Sequence, residues 1–173
     1  GYDLSTIQNI NMTSNLKDLS LFSGMGGDSL GIQSAVIEVV AFNEFDEAAI
    51  ESHLLNFPDS VLVEDPSQKK PKDRTNIQCI PDSAFAAYKG VVDLIFAGHP
   101  CQGFSNGGKK LPDDPRNTLF REFARSARLI MPKYIIGENV DGLLSRKTAD
   151  NENYIDVIVR EFESIGYNVY YKV

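Results

Sequence analysis

An α/β fold, with a mostly parallel sheet covered on both faces, is predicted by three observations. Short apolar runs alternate with amphipathic stretches along the whole chain. A glycine-rich turn, Phe22-Ser23-Gly24-Met25-Gly26-Gly27, joins the first apolar run to the first amphipathic one. Further on, Val91-Val92-Asp93-Leu94-Ile95-Phe96 feeds a Gly/Pro-rich loop, Ala97-Gly98-His99-Pro100-Cys101-Gln102-Gly103-Phe104-Ser105, that carries a cysteine.

In chain order, Leu16–Ser23 reads as the first strand and Gly27–Ala35 as the helix after it. Ile37–Asn43 is a second strand and Glu47–Asn56 a helix. Ser60–Val63 makes a short third strand, and Glu64–Asn76, rich in Pro, Lys and Asp, an exposed loop. Val91–Ala97 is the fourth strand, followed by a loop from Gly98 to about Arg116. Asn117–Met131 has helical apolar spacing through Leu119, Phe120, Phe123, Ala127 and Ile130, and Pro132 closes it. Tyr134–Gly137 is a fifth strand, Tyr154–Ile165 a helix and Tyr167–Val173 a last strand. Residues 1–15 form a polar tail, and residues 16–173 a single domain.

A chain of 173 residues can bury roughly two-thirds of its unfolded surface, enough for one globular core. No apolar run approaches the ~18 residues that span a bilayer, and the polar start is no signal peptide. The two cysteines lack metal-ligand spacing, so no metal site is expected and a reducing compartment fits, the cytoplasm of a bacterium or phage host or the nucleus of a eukaryote. The sequon Asn11-Met12-Thr13 is then a chance match. A net charge of −7 disfavours a free-standing DNA binder, because phosphate neutralisation dominates that affinity. Yet Lys109, Lys110, Arg116, Arg121, Arg125, Arg128 and Lys133 make a local basic stretch, either a phosphate-facing surface or a solvated helix face.

A cysteine delivered by a buried strand into such a loop is placed like a nucleophile, and the thiolate is its reactive form. Cys79, among apolar neighbours, reads as packing. Gly24, Gly26 and Gly27 permit a tight turn and close ligand approach, while Glu44 ends the next strand where a carboxylate accepts from ribose hydroxyls. Dinucleotide and S-adenosylmethionine enzymes share that pair; no Lys-Ser/Thr follows, so a P-loop is excluded. Glu138 ends the fifth strand beside the fourth, where a carboxyl can serve acid–base work. His99 reads as loop lining and His53 carries no signal.

The glycine turn, Pro100-Cys101-Gln102 and Glu138-Asn139-Val140, in this order, resemble the cytosine-C5 DNA methyltransferase family, over about Leu16 to the last residue. The resemblance implies a Rossmann-like S-adenosylmethionine-dependent methyltransferase fold, truncated here before the final antiparallel strand. It implies S-adenosylmethionine as cofactor, bound by Phe22, Ser23, Gly24, Gly26, Gly27, Glu44 and Pro100. Asn76, or Asp73 if the loop shifts, would accept from the adenine amino group. Cys101 would attack C6 of a flipped cytosine while Glu138 supports N3. Asn139 would fix its loop or contact substrate, Ser105 would hold a phosphate or the loop itself, and Arg116 would contact phosphate. Leu119 and Phe120 read as packing.

The partner implied is DNA, in a restriction–modification or regulatory setting, with target recognition supplied by a missing C-terminal part or a second polypeptide. The chain is accordingly expected to be a fragment, or one part of a split enzyme, with little turnover alone. The final strand would lack its usual neighbour and leave an exposed pairing edge. Three other readings stand beside this one. A nicotinamide-dependent dehydrogenase leaves Cys101 and Glu138 without a role. A cofactor-binding or interaction module would keep the fold without activity. An RNA cytosine-C5 methyltransferase would use the same thiolate chemistry.

Overall fold

The computed structural model describes residues 16–98, 119–138, 143–148 and 150–172. Five strands form one parallel sheet: β1 (Lys17–Leu21), β2 (Glu38–Asn43), β3 (Val61–Leu62), β4 (Leu94–Gly98) and β5 (Tyr134–Glu138), in the order β3-β2-β1-β4-β5. Helices α1 (Gly27–Ser34) and α2 (Glu47–Asn56) join the first three strands. The short α3 (Pro71–Thr75) and α4 (Asp82–Ala86) precede β4, α5 (Leu119–Ile130) precedes β5, and α6 (Tyr154–Ser164) follows it. The strand order reverses at β1. Crevices at such a switch point, outside the strands' carboxyl ends, are where α/β sheets bind ligands.

Side chains alternate across β1 as a pleated strand requires. Leu19 and Leu21, with Ala41, Ile95 and Ala97, face a core closed by Phe85 of α4, Phe123, Ala127 and Ile130 of α5, and Phe162 of α6. A smaller cluster, Ile32, Val39 and Leu94, buries α1 on the other face. Helix α5 carries its buried residues on one stripe, as its spacing predicts.

Two expectations are corrected. The exposed loop Glu64–Asn76 contains α3, whose first residue is Pro71. Proline is tolerated there because the first helical N–H groups have no intrahelical partner anyway. The stretch before β4, to which the sequence pattern assigns no element, contains α4, which anchors the fully buried Phe85. Second, Tyr167–Lys172 forms no strand. A groove of about 560 Å³, lined by Tyr134, Gly137, Tyr167, Val169 and Tyr171, separates it from β5, so neither has a ladder partner there. Tyr167 still ties the segment down, its hydroxyl donating to the Pro132 carbonyl at 2.7 Å. Among the described residues no helix is long and apolar enough to cross a membrane.

The polar side of β1 is unusual. Asp18 is fully buried and neither carboxyl oxygen reaches a partner in good hydrogen-bond geometry, although the nearby Phe96 backbone favours the charged form. Ser20 donates to the Asp28 carboxylate in the first turn of α1. Burial, and then the Asp28 charge, push the Asp18 carboxyl up to about 8. Between its ordinary range and that value, the folded chain holds a proton that the unfolded chain has released. Stability from this group is therefore lost as pH rises through that window. Asp18→Asn should raise the urea midpoint, with a gain that grows from about pH 4 to about pH 8, levels off above that and reaches on the order of a few kcal/mol. A variant less stable than the parent at the higher pH would contradict a neutral carboxyl at this position.

Candidate functional site

Past Leu21 the chain turns abruptly. Phe22 has φ 55°, a left-handed conformation unusual for a bulky residue, and Gly24 and Gly26 follow with φ 54° and 96°. The Ser23 amide extends the β1–β2 pairing by donating to the Asn43 carbonyl at 3.3 Å, and Ser23 itself is buried. Gly26 is required twice over. Beyond its φ, a Cβ there would lie 2.5 Å from Cε2 of Phe57 and 3.1 Å from Cδ2 of His53. A Cβ at Gly27 would meet nothing.

Glu44 holds this turn. One carboxylate oxygen accepts from the Gly24 amide at 2.7 Å, and the other accepts from the amides of Phe45 at 2.7 Å and Asp46 at 3.0 Å. The carboxylate thus binds the glycine turn to the start of α2, which Asp46 caps by accepting from Ala49. That leaves one lone pair, on the oxygen that accepts from Gly24, and Glu44 lines a cleft of about 490 Å³ together with Phe22, Phe45, Asn76, Ile77, Gly98 and Leu119, among others.

The far wall is Asn76-Ile77. The Asn76 side-chain oxygen accepts from the Gln78 amide at 3.1 Å, while its carbonyl accepts from Cys79 at 2.8 Å, so the wall is a tight turn. Asp73, the alternative to Asn76, sits in the first turn of α3 and does not line the cleft. Cys79 is only half-buried, against the expectation of core packing, because this turn lies at the surface. Leu119 lines the cleft as well as packing, while Phe120 packs edge-on to Tyr154 and lines the groove beside β5.

Two supporting residues escaped the sequence reading. Buried Asn43 donates to the carbonyls of Val63 at 2.9 Å and Thr75 at 3.2 Å, tying β2, the end of β3 and the end of α3 behind the Asn76 wall. A polar residue closing the run Val39-Val40-Ala41-Phe42 was its only signal. His53 is fully buried, stacked on Phe42 with ring centroids 3.7 Å apart, and its Nε2 meets the Ser29 hydroxyl at 3.0 Å. Burial lowers its pKa and favours neutral imidazole. Nothing in the helix spacing distinguished it from a surface position.

On the opposite side of the sheet centre, β4 and β5 pair in register, with Gly98 opposite Glu138. Pro100, Cys101, Ser105, Arg116 and Asn139 lie outside the described residues, as do His99, Lys109, Lys110 and the tail 1–15. Of the basic stretch, Arg125 pairs with Asp82 and Glu122, Arg128 with Glu161 and Lys133 with Asp93. Three of the four described cations of this stretch are thus paired within the fold, with Arg128 and Lys133 still exposed, and Arg121 is exposed beside the Phe120 ring. No group of three or more metal-ligating side chains occurs among the described residues.

The model of the C-5 cytosine-specific DNA methylase family matches residues 16–173. The chain belongs to this family. It is 38% identical over 154 residues to the type II methyltransferase M.Eco47II of Escherichia coli, covering 88% of this chain and 33% of the relative. With M.NgoFVII of Neisseria gonorrhoeae the identity is 39% over 165 residues, covering 94% and 40%. The fold is similar to a structure described as a prophage-encoded DNA modification methyltransferase of E. coli, with TM-score 0.65, 28% identity, and 86% and 38% of the two chains covered. DNMT2 of Spodoptera frugiperda, as an E260A/E261A/K263A mutant, is similar at TM-score 0.51 and 28% identity, over 85% and 41%. The chain spans about a third of the length of M.Eco47II and 40% of M.NgoFVII. The fold is thus the Rossmann-like S-adenosylmethionine-dependent methyltransferase fold, and the family implies S-adenosylmethionine use.

Gly26→Ala should cost about 2–4 kcal/mol in urea unfolding, from the left-handed backbone and the overpacking together. Full retention of stability would mean that the turn is not wedged against Phe57.

Proposed function

We propose that this chain is the cofactor-binding and catalytic part of a cytosine-C5 methyltransferase acting on DNA. The position of Gly98 carries the reading. It lines the cleft, pairs with Glu138 across β4–β5, and stands three residues before Cys101 in the chain. Cofactor cleft, nucleophile loop and strand-end carboxyl are thereby joined at one backbone position. Bacterial relatives named type II methyltransferases support a cytoplasmic setting.

The cleft suits S-adenosylmethionine in size and chemistry: a carboxylate at one end, Phe22 and Ile77 as apolar faces, an amide at the far wall. Glu44 would accept from the ribose hydroxyls, Phe22 and Ile77 would flank the adenine, and Asn76 would accept from its amino group. Ser23, Gly24, Gly26, Gly27 and Pro100 would line the methionine side. When bound, the cofactor supplies an electrophilic methyl group on a sulfonium.

The chain's own task is to make cytosine C5 nucleophilic. The Cys101 thiolate attacks C6, and the ring electrons move toward N3, where the Glu138 carboxyl donates a proton or hydrogen bond. The resulting enamine is nucleophilic at C5. After C5 is substituted, loss of its proton and expulsion of the thiolate restore the aromatic ring and the free cysteine. Ser105 and Arg116 would hold the phosphate backbone of a flipped nucleotide, with Asn139 fixing the loop behind it.

In the complete protein, Cys101→Ala should abolish methyl transfer to DNA while leaving S-adenosylmethionine affinity within about twofold, since the thiol acts on the base. Transfer that survives the substitution, or that prefers RNA over DNA, would overturn this assignment. Calorimetric titration of this chain should show binding of S-adenosylmethionine and not of NAD. Glu44→Ala should weaken that binding about tenfold to a hundredfold, as expected for a lost hydrogen bond to a charged group. NAD binding, or indifference to the substitution, would point to a different ligand.

A further inference from the structure

The guanidinium of Arg125, on α5, spends every one of its donors on a segment far from it in sequence and on its own helix. Its Nη2 donates to the Ile77 carbonyl at 2.8 Å, and Nη1 to the Ile80 carbonyl at 3.2 Å and the Asp82 carboxylate at 2.7 Å. Nε meets Glu122 at 2.8 Å, and the same carboxylate oxygen lies 2.7 Å from Nη2. The cation also sits over the buried Phe85 ring, 5.2 Å from its centroid. Five donors in a rigid plane reach two carbonyls and two carboxylates at once. A lysine, with three donors on a single nitrogen, could not do the same.

The placement of these bonds matters more than their number. Ile77 and Asn76 form the far wall of the cleft, and Arg125 grips that turn from behind by the carbonyl of one of its lining residues. Leu119, which opens α5, lines the same cleft. Arg125 lies six positions further along, about 9 Å of helix. Two cleft walls that belong to different elements are therefore fixed relative to one another through one side chain. The neighbouring contacts would not replace it, because Ile77 and Ile80 otherwise meet α5 through apolar packing, which tolerates sliding.

We propose that Arg125 is a positioning residue for the cofactor: it sets the width of the cleft between Asn76-Ile77 and Leu119, and so governs cofactor affinity without acting on the reacting base. The proposal rests on reading the cleft as the S-adenosylmethionine site. Among the described residues the Arg125 side chain bonds to Ile77, Ile80, Asp82 and Glu122, all on or behind the cleft wall, so its loss changes binding and spares chemistry once the cleft is filled.

The test is steady-state methylation by the complete protein with Arg125→Lys and Arg125→Met, alongside S-adenosylmethionine titration of each. Both variants should raise KM for S-adenosylmethionine by about tenfold or more, in line with a lost hydrogen bond to a charged group. At saturating cofactor, kcat and KM for DNA should stay within about twofold of the parent, because the substitution removes binding common to ground and transition states. Asp82→Asn, which removes one exposed arm of the grip, should shift KM the same way by less, and stands in should the Arg125 variants not fold. Ile130→Val, a core truncation in the same helix, controls for stability alone and should leave KM unchanged. A fall in kcat with KM for the cofactor unmoved, or an equal KM shift in Ile130→Val, would reduce Arg125 to a packing residue and overturn the proposal. A parent protein that methylates DNA but whose cofactor affinity ignores Glu44→Ala would instead remove the cleft assignment on which it rests.

Discussion

The pairing of β1 with parallel strands on both sides is the constraint from which the rest of the molecule follows. Leu19 and Leu21 can be buried in the main core only if β2 and β4 run alongside in the same direction. Three chain segments must then leave the sheet at the same edge: the glycine turn after β1, the Glu44 corner after β2 and the cysteine loop after β4. Around the first two of these corners and the turn at 76–80, side chains supply the partners that the backbone lacks. Glu44 supplies acceptors to three amides, Asn43 supplies donors to two carbonyls, and Arg125 supplies donors to two more. The cleft is the space those repairs leave open.

This arrangement divides labour across the sheet centre. On the β2–β3 side, the polar groups that shape the cleft are already engaged with backbone, so the walls are set before a ligand arrives. On the β4–β5 side, Gly98 and Glu138 are held in register, and Glu138 is exposed at the strand end. A preorganised binding half beside an accessible carboxyl is what a group transfer needs. One substrate must be held firmly, and the other must come and go.

Much of this was legible in the sequence because it depends on local patterns. Apolar runs of strand length, glycines after the first run and an acidic residue after the second each report on their own few neighbours. The boundaries of α2 match to the residue, because Asp46 caps it and the chain turns at Phe57. What stayed hidden depends on distant partners. Neither Asn43, His53 nor Arg125 differs locally from an ordinary polar residue, and their roles appear only when the fold brings Thr75, Ser29 or Ile77 to them. Arg125 was read with a surface charge run for that reason. The last strand failed in the opposite sense. Tyr167-Asn168-Val169-Tyr170-Tyr171 has strand composition, but a strand is a pairing, and a groove holds this segment away from β5, too far for a ladder.

The most direct measurement is a crystal structure of the complete protein with S-adenosylhomocysteine, which occupies the cofactor site without reacting. The geometry predicts ribose hydroxyls on the Glu44 carboxylate, the adenine between Phe22 and Ile77, and the sulfur directed toward Gly98 and the cysteine loop. A ligand seated elsewhere, for instance in the groove beside β5, with the Glu44 cleft left to solvent, would contradict the central assignment.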